Sequence, residues 1–330
     1  MKRRHWLLVL VLAVVLGCKS ESQQVVVYTS VDQVFSEPIF REFERQTGIE
    51  VRAVFDTEET KSTGVLNRLL AEAARPQADV FWSGDPVRPV LLMRRALVEP
   101  YVSPAAEGLP ISLAGTWTGC AARARVLLVN RDRVAASDVP RSIRDLADAR
   151  WRGRTAIANP MFGTTTMHVA ALFSVWGAPD TKKFLNDLKG NGVKIASSNG
   201  EVKRLVVAGD VAFGLTDTDD ANEAIKAGAP VLVVYPDQDG IGTLVMPTSV
   251  VLLRRRPHDA PGRKLVDFLV SAEVEKRLAA AAAYMPLRAG VPTPPNVRKV
   301  AEIRAMNVDY GRVAAEMERI QPWLRTWAAP

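Results

Sequence analysis

The apolar residues of this chain fall into short blocks whose period switches back and forth between that of a strand and that of a helix. "VVVYTS", residues 25–30, is a continuous apolar run closed by turn residues, the pattern of a strand buried on both faces. In the segment that follows, Phe35, Ile39 and Phe43 share one face and Gly48 stands where a helix C-cap belongs, which predicts a helix through "SEPIFREFERQTG". "IEVRAVF" is strand-like again. "EETKSTGVLNRLLAEAARP" is helical, with Leu66, Leu69, Leu70 and Ala73 on one stripe. The pattern repeats through "ADVFW", "VRPVLLMRRA", "RVLLVN", "SIRDLADA", "TAIA", "TTMHVAALFSVWG", "TKKFLNDLKGNG", "VKIA", "EVKRLVVAG", "VAFGL", "DDANEAIKAG" and "PVLVVY". Strands and helices alternating through short links predict an α/β architecture with mostly parallel sheets. The C-terminal part, including "GRKLVDFLVSAEVEKRLAAAAAYMPLR" and "VDYGRVAAEMERIQPWLRTW", is mainly amphipathic helix, and no fixed-period repeat or low-complexity tract interrupts the chain.

The beginning of the chain follows another rule. "MKRRH" is a short basic region, "WLLVLVLAVVL" an apolar core too short to span a bilayer, and "GC" follows. This is the order of an export signal over residues 1–17. The junction "VLGC" matches the pattern in which a cysteine becomes the lipidated N-terminus, so Cys18 is the expected lipidation site and 18–24 a tether. With Cys18 acylated, Cys120 has no disulfide partner, and stability rests on packing. Loss of Lys2, Arg3 and Arg4 with the signal lowers the formal charge from +7 to +4. The short basic run Arg254–Arg256 carries no interleaved aromatics, so no nucleic-acid partner is expected.

Candidate chemistry is sparse. Of three histidines, His5 belongs to the signal and His168 sits in an apolar helical stretch as a structural residue. H-E-x-x-H, G-x-S-x-G, C-x-x-C and Walker patterns do not occur, which argues against an enzyme. Three loop-to-helix junctions say more. Gly163 and Thr164–Thr166 precede one helix, and Ser197, Ser198 and Asn199 another. The free N–H groups and dipole of such termini favour an anion, although simple capping explains each junction equally well. At "WSGDP", Asp85 stands before Pro86 and reads as a ligand group or as a cap.

The acidic run "TDTDDANEA" is not an EF-hand loop, because the sixth and twelfth places counted from Asp217 hold Asn222 and Gly228. Asp219, Asp220 and Glu223 suit the first turn of a helix, with capping-box spacing from Asp220 to Glu223. Asp217 directly follows the strand "VAFGL", where α/β sheets place ligand groups, and is the expected ligand contact.

"VVVYTSVDQVFSEPIFREFERQTGIEV", "RPQADVFWSGDP", "SSNGEVKRLVVAGDVAFGLTDTDDA" and "GRKLVDFLVSAEVEKRL…YMPLR" together resemble the ferric-ion-type periplasmic substrate-binding proteins of bacterial ABC importers, over about residues 25–290. The resemblance implies a two-lobed periplasmic-binding-protein fold of type II, with a hinge between the lobes. On it, residues 25–118 form an N-terminal lobe completed by about 246–290, and residues 119–245 a C-terminal lobe completed by the helices of about 291–330. It also implies a monomer anchored to the membrane by lipid in the periplasm, working with a permease and an ATPase, without a resident cofactor.

Ferric members hold Fe(III) with adjacent tyrosines, often with a histidine, a glutamate and a synergistic anion. Here the tyrosine pair falls at Asp217 and Thr218, the histidine near Asp32 and the glutamate at Gly84 or Asp85. The anion junctions fall on Gly163, Thr164, Thr165, Ser198 and Asn199, and Tyr28 is placed near the cleft. If iron is the ligand, Asp32, Asp85 and Asp217 are its expected oxygen donors. The same groups suit a small zwitterion such as 2-aminoethylphosphonate, and Trp82 offers an aromatic wall for a thiamine-like solute. A ligand-binding sensor is a further role open to the same fold.

Overall fold

The computed structural model describes residues 23–57, 63–109, 112–113 and 117–329. The signal, Cys18 and the start of the "EETKSTG" segment lie outside them. The chain opens with β1 (Gln24–Thr29), α1 (Gln33–Thr47), β2 (Glu50–Phe55), α2 (Thr63–Ala71), β3 (Val80–Ser83) and α3 (Val87–Arg94). β1 lies parallel between β2 and β3, as expected for right-handed β-α-β crossovers. α1 ends at Gly48, whose backbone N–H returns to the Glu44 carbonyl. The two-residue strands β4 (Val98–Glu99) and β5 (Ser112–Leu113) follow.

Next comes the long strand β6 (Trp117–Asn130), buried along its whole length. The second half of the chain adds β7 (Thr155–Ala158), α4 (Gly163–Trp176), α5 (Ala178–Gly190) and β8 (Lys194–Ala196). It continues with α6 (Asn199–Val207), β9 (Phe213–Asp217), α7 (Thr218–Lys226) and β10 (Val231–Val234). The "SIRDLADA" segment forms only a 3-10 turn, Ile143–Ala147, because Asp148 ends it by capping the next turn.

β11 (Val245–Leu253) then returns to the first sheet. Among the described residues the strand order is β2-β1-β3-β11-β6-β9-β7-β8. The first part of β6 pairs with β11, and its last part pairs with β9 and β10. Two antiparallel strands therefore carry the chain between an N-terminal and a C-terminal lobe. The sheet is mixed rather than mostly parallel, because a strand that crosses and one that returns must run in opposite directions. At the crossing, Ala121 bulges out of register opposite the Pro247–Thr248 step, with φ at +43°. Pro247 has no N–H to give to the ladder, so an irregularity here is tolerated, and a bulge bends and twists the strand pair.

After β11, α8 (Asp259–Leu269) and α9 (Ala272–Ala282) pack back against β1 and α1 of the N-terminal lobe. The last helix, α10 (Tyr310–Ala328), behaves differently. It packs against α3 of one lobe and α4 of the other. The Tyr310 ring meets Trp117 edge-on and Arg94 donates to the Gly311 carbonyl. Farther along, Trp323 meets Phe173 and Lys189 donates to the Trp327 carbonyl. Val313, Ala314, Met317, Ile320 and Leu324 form its buried stripe. Among the described residues, no helix is long and apolar enough to cross a membrane.

Leu324 is fully buried at this seam. Leu324→Ala is expected to cost about 2–5 kcal/mol of stability through the lost transfer and the cavity left behind. Urea unfolding monitored by circular dichroism measures the loss.

Candidate ligand-binding cleft

The cleft between the lobes holds a small inner cavity, about 40 Å³, that opens toward an outer groove of about 520 Å³. Ser30 and Asp32 line the inner cavity from the N-terminal lobe. Asn159, the Phe162–Thr165 turn, Ser197–Asn199, Asp217, Asp219 and Asp220 line it from the other, with Arg123 at its base. Three helix N-termini of the C-terminal lobe, those of α4, α6 and α7, thus converge on one space. The first turn of α4 has no side-chain cap, and Gly163 enters it at φ +60°. At α6, Ser198 Oγ accepts from the Glu201 N–H at 3.1 Å.

At the base lies an ion-pair network. Arg125 on β6 stands directly opposite Asp217 on β9, and its Nη1 donates to Asp217 Oδ1 at 2.6 Å. Arg123, two residues earlier on the same face of β6, donates to Asp217 Oδ2 at 3.2 Å and to Asp219 Oδ2 at 3.1 Å. Thr164 Oγ1 donates to Asp217 Oδ2 at 2.9 Å, and Asn199 Nδ2 reaches the same oxygen at 3.2 Å. Arg125 further donates to Thr164, Thr165 and Asn199. Burial works to raise the Asp217 carboxyl, but Arg125 and Arg123 outweigh it and hold the group below its usual range.

Asp220 has the opposite environment. Burial, reinforced by Asp219 and Asp217, pushes its carboxyl up to about 7, with Lys203 at 3.7 Å only partly compensating. Its side chain accepts from Thr216 Oγ1 at 3.0 Å and lines both the cavity and the groove. His168 lies buried beneath the network. Burial and the nearby Arg125 push its imidazole down to about 3, so it is neutral at physiological pH.

The structure brings Asp32, Gly163, Thr164, Thr165, Ser198, Asn199 and Asp217 together at the cavity. Three expectations are corrected. Tyr28 faces away from the cleft, into the core beneath α2, where its hydroxyl donates to Glu72 at 2.9 Å and Arg68 covers its ring. Asp85 is fully buried and does not line the cavity. Its Oδ1 accepts the Val87 and Arg88 N–H groups, and its Oδ2 accepts Arg88 Nη1 at 2.6 Å, so it closes the first turn of α3. Trp82 is also fully buried, edge-on to Phe40, and forms no wall of the cleft.

The Asp220–Glu223 capping box does not form either, since α7 has no side-chain cap and begins at Thr218. Sequence reasoning missed Arg123 and Arg125. Their signal was present in "GCAARARVLLVN", where two charges at alternate positions interrupt an apolar strand and so share one buried face. Among the described residues, no three His, Cys, Asp or Glu side chains are placed to hold a metal ion.

A two-lobed α/β chain with a polar cleft at the strand crossing has the architecture of a solute-binding protein. Over residues 94–312 the chain matches the family described as bacterial extracellular solute-binding protein, and it belongs to that family. It is 28% identical over 301 residues to the iron uptake protein A1 of Synechocystis sp., covering 86% of this chain and 81% of that one. It is 24% identical over 304 residues to a putative 2-aminoethylphosphonate-binding periplasmic protein of Salmonella typhi, covering 87% of this chain and 81% of that one. The iron-bound HitA of Pseudomonas aeruginosa superposes with a TM-score of 0.82 at 22% identity, over 92% of this chain and 99% of that one. The fold is therefore the type II two-lobed fold.

Removing Asp217 leaves the buried Arg125 without a carboxylate and Arg123 with Asp219 alone. Asp217→Ala is expected to lose about 3–5 kcal/mol of stability, read by urea unfolding. A wild-type midpoint would contradict the network. Asp220 supplies a separate test in pH. Its folded-state pKa is raised, so its stabilising effect is full below the unfolded value near 4 and is lost as pH rises through about 7. Asp220→Asn should therefore gain stability relative to the wild type across that window, as measured by melting temperature at a series of pH values.

Proposed function

We propose that the chain is the substrate-binding component of an ABC importer, of the iron(III) type, that captures a small solute in the interlobe cleft and performs no catalysis. The observation that carries this reading is the inner cavity itself. Carboxylates from both lobes, Asp32 and Asp220, line it together with the N-termini of α4 and α6. Carboxylate oxygens are hard donors suited to Fe(III), and the helix termini suit an accompanying anion. Because no cluster of three protein donors stands ready among the described residues, the remaining oxygens would come from the anion on Gly163–Thr165 and Ser198–Asn199. The iron uptake protein of Synechocystis sp. supports the same reading by name.

A second reading keeps the architecture and exchanges the cargo. An ammonium against Asp32 and Asp220, with a phosphonate on the helix termini, describes 2-aminoethylphosphonate, and the Salmonella typhi relative favours it. Such a solute is longer than the inner cavity and reaches into the outer groove. On either reading the ligand contacts proposed are Asp32, Gly163, Thr164, Thr165, Ser198, Asn199 and Asp220; Asp217, expected as a contact, lines the cavity with both oxygens already taken by Arg123, Arg125, Thr164 and Asn199. The proposed setting is the periplasm, with a monomer tethered through Cys18 and delivering to a permease and its ATPase. The proposed lobes comprise residues 25–118 with about 246–290, and 119–245 completed by about 291–330, with α10 also reaching α3 of the first lobe.

Elemental analysis and mass spectrometry of the purified protein separate the two cargoes. Calorimetric titration with ferric citrate and with 2-aminoethylphosphonate then measures each. A charge-assisted contact of about 1.5–3 kcal/mol corresponds to roughly ten- to hundredfold in affinity, so Asp32→Ala and Asp220→Ala should each weaken the true ligand by that factor. Unchanged affinity in both variants contradicts the site. For the anchor, Cys18→Ser is expected to move the protein from the membrane fraction to the soluble one.

A further inference from the structure

Two buried arginines reach across the cleft in opposite directions. Arg123 is based on the crossing strand β6, two residues beyond the Ala121 bulge, and is held on one side by Asp217 and Asp219 of the C-terminal lobe. Its Nη2 donates at 2.9 Å to the carbonyl of Gly84, which follows β3 in the N-terminal lobe. Its guanidinium also lies 5.5 Å from the ring centroid of Tyr284, which follows α9 and stays in the N-terminal lobe's core. Arg88, on α3 and ion-paired with Asp85, donates its Nη2 at 3.3 Å to the carbonyl of Gly163, the first residue of α4. Both side chains are buried, with Arg88 at 1% and Arg123 at 5% exposure.

We propose that Arg123 and Arg88 form an interlobe clasp that holds the lobes in the arrangement seen here and couples occupancy of the cleft to it. The clasp takes the cleft as the solute site. Arg123 is anchored by two carboxylates and Arg88 by one, and each gives its Nη2 to a backbone carbonyl of the facing lobe. For Arg123 those carboxylates are wall residues of the cavity, and for Arg88 the carbonyl belongs to the helix terminus that meets the solute. Any charge entering the cavity acts on the partners of both arms. Arg123 forms part of the cavity lining and Arg88 lies outside it, and the role proposed for both is to hold the lobes in position.

The fit at Gly84 is close. A Cβ there would lie 3.0 Å from Arg123 Nη2 and 3.3 Å from the Ser30 carbonyl. Gly84 is not among the residues with positive φ, so alanine meets no backbone strain at this position, and the only flexible neighbour able to yield is the arginine tip. Gly84→Ala therefore pushes the Arg123 arm aside while leaving every charge in place.

The test places spin labels on Val34→Cys and Val207→Cys, exposed positions on opposite lobes, with Cys120 fully buried and unlabelled. Interlobe distances are measured by pulsed electron resonance in the unliganded protein and with ferric citrate. The wild-type background should give one dominant distance without ligand. Arg123→Lys keeps the charge but loses the fork, and Gly84→Ala keeps the charge and crowds the fork; each should shift the distribution toward longer distances. Both variants should also speed ferric citrate release while far-ultraviolet circular dichroism stays that of the wild type. If Arg123→Lys does not fold, Gly84→Ala decides. Wild-type distances in a folded Gly84→Ala overturn the clasp. Failure of ferric citrate to bind the wild type overturns the iron reading, and the unliganded distances alone then uphold or overturn the clasp.

Discussion

The buried pair of Arg125 and Asp217 is the constraint from which the cleft is built. The two residues are direct cross-strand partners, and both are almost entirely removed from water. A guanidinium in that position is tolerable only when it is paired and hydrogen-bonded, and beside Asp217 its terminal nitrogens donate to Thr164, Thr165 and Asn199, leaving Nε alone without a partner among the described residues. Those three residues open α4 and α6. One cross-strand ion pair thereby fixes where two helices begin, and the convergence of helix termini on the cavity follows from satisfying a buried charge.

The same requirement decides which carboxylate is available to a solute. Asp217 has its oxygens occupied by Arg123, Arg125, Thr164 and Asn199. Asp220 gains no arginine. Its carboxyl is raised first by burial and then by Asp219 and Asp217, so its charged form lacks compensation that Asp217 has. A cation entering the cleft beside Asp220 supplies that compensation. An anion is met by helix N-termini instead. The site is thus prepared for a ligand bearing both signs, whether as a metal–anion pair or as one zwitterion.

Much of the fold was legible in the alternation of periods, because each lobe is made of crossovers whose helices must bury one stripe and whose strands must bury both faces. The helix ending at Gly48, the strands around Tyr28 and Phe81, and the junctions at Gly163 and Ser198 all stand where the pattern places them. Facing was not legible. Tyr28 and Val27 are neighbours on one strand, yet one packs under α2 and the other under α1 and α8, and nothing local says which side the cleft lies on. Asp85 served as a cap, for which its place before Pro86 had equally argued. Arg123 and Arg125 escaped notice for a different reason. Charged residues are normally read as surface, and only the pairing of β6 with β9 brings them opposite the carboxylates that allow their burial.

The helix that runs across the back of both lobes has a mechanical consequence. It touches both α3 and α4, so rotation of the lobes about the crossing strands has to move this seam as well. Each degree of rotation at the front must be matched at the back by sliding of Val313, Met317 and Ile320 in their seats. Closely packed side chains slide in discrete steps between rotamer fits rather than continuously. An opening at the front of the cleft is thus tied to repacking of this one helix at the back.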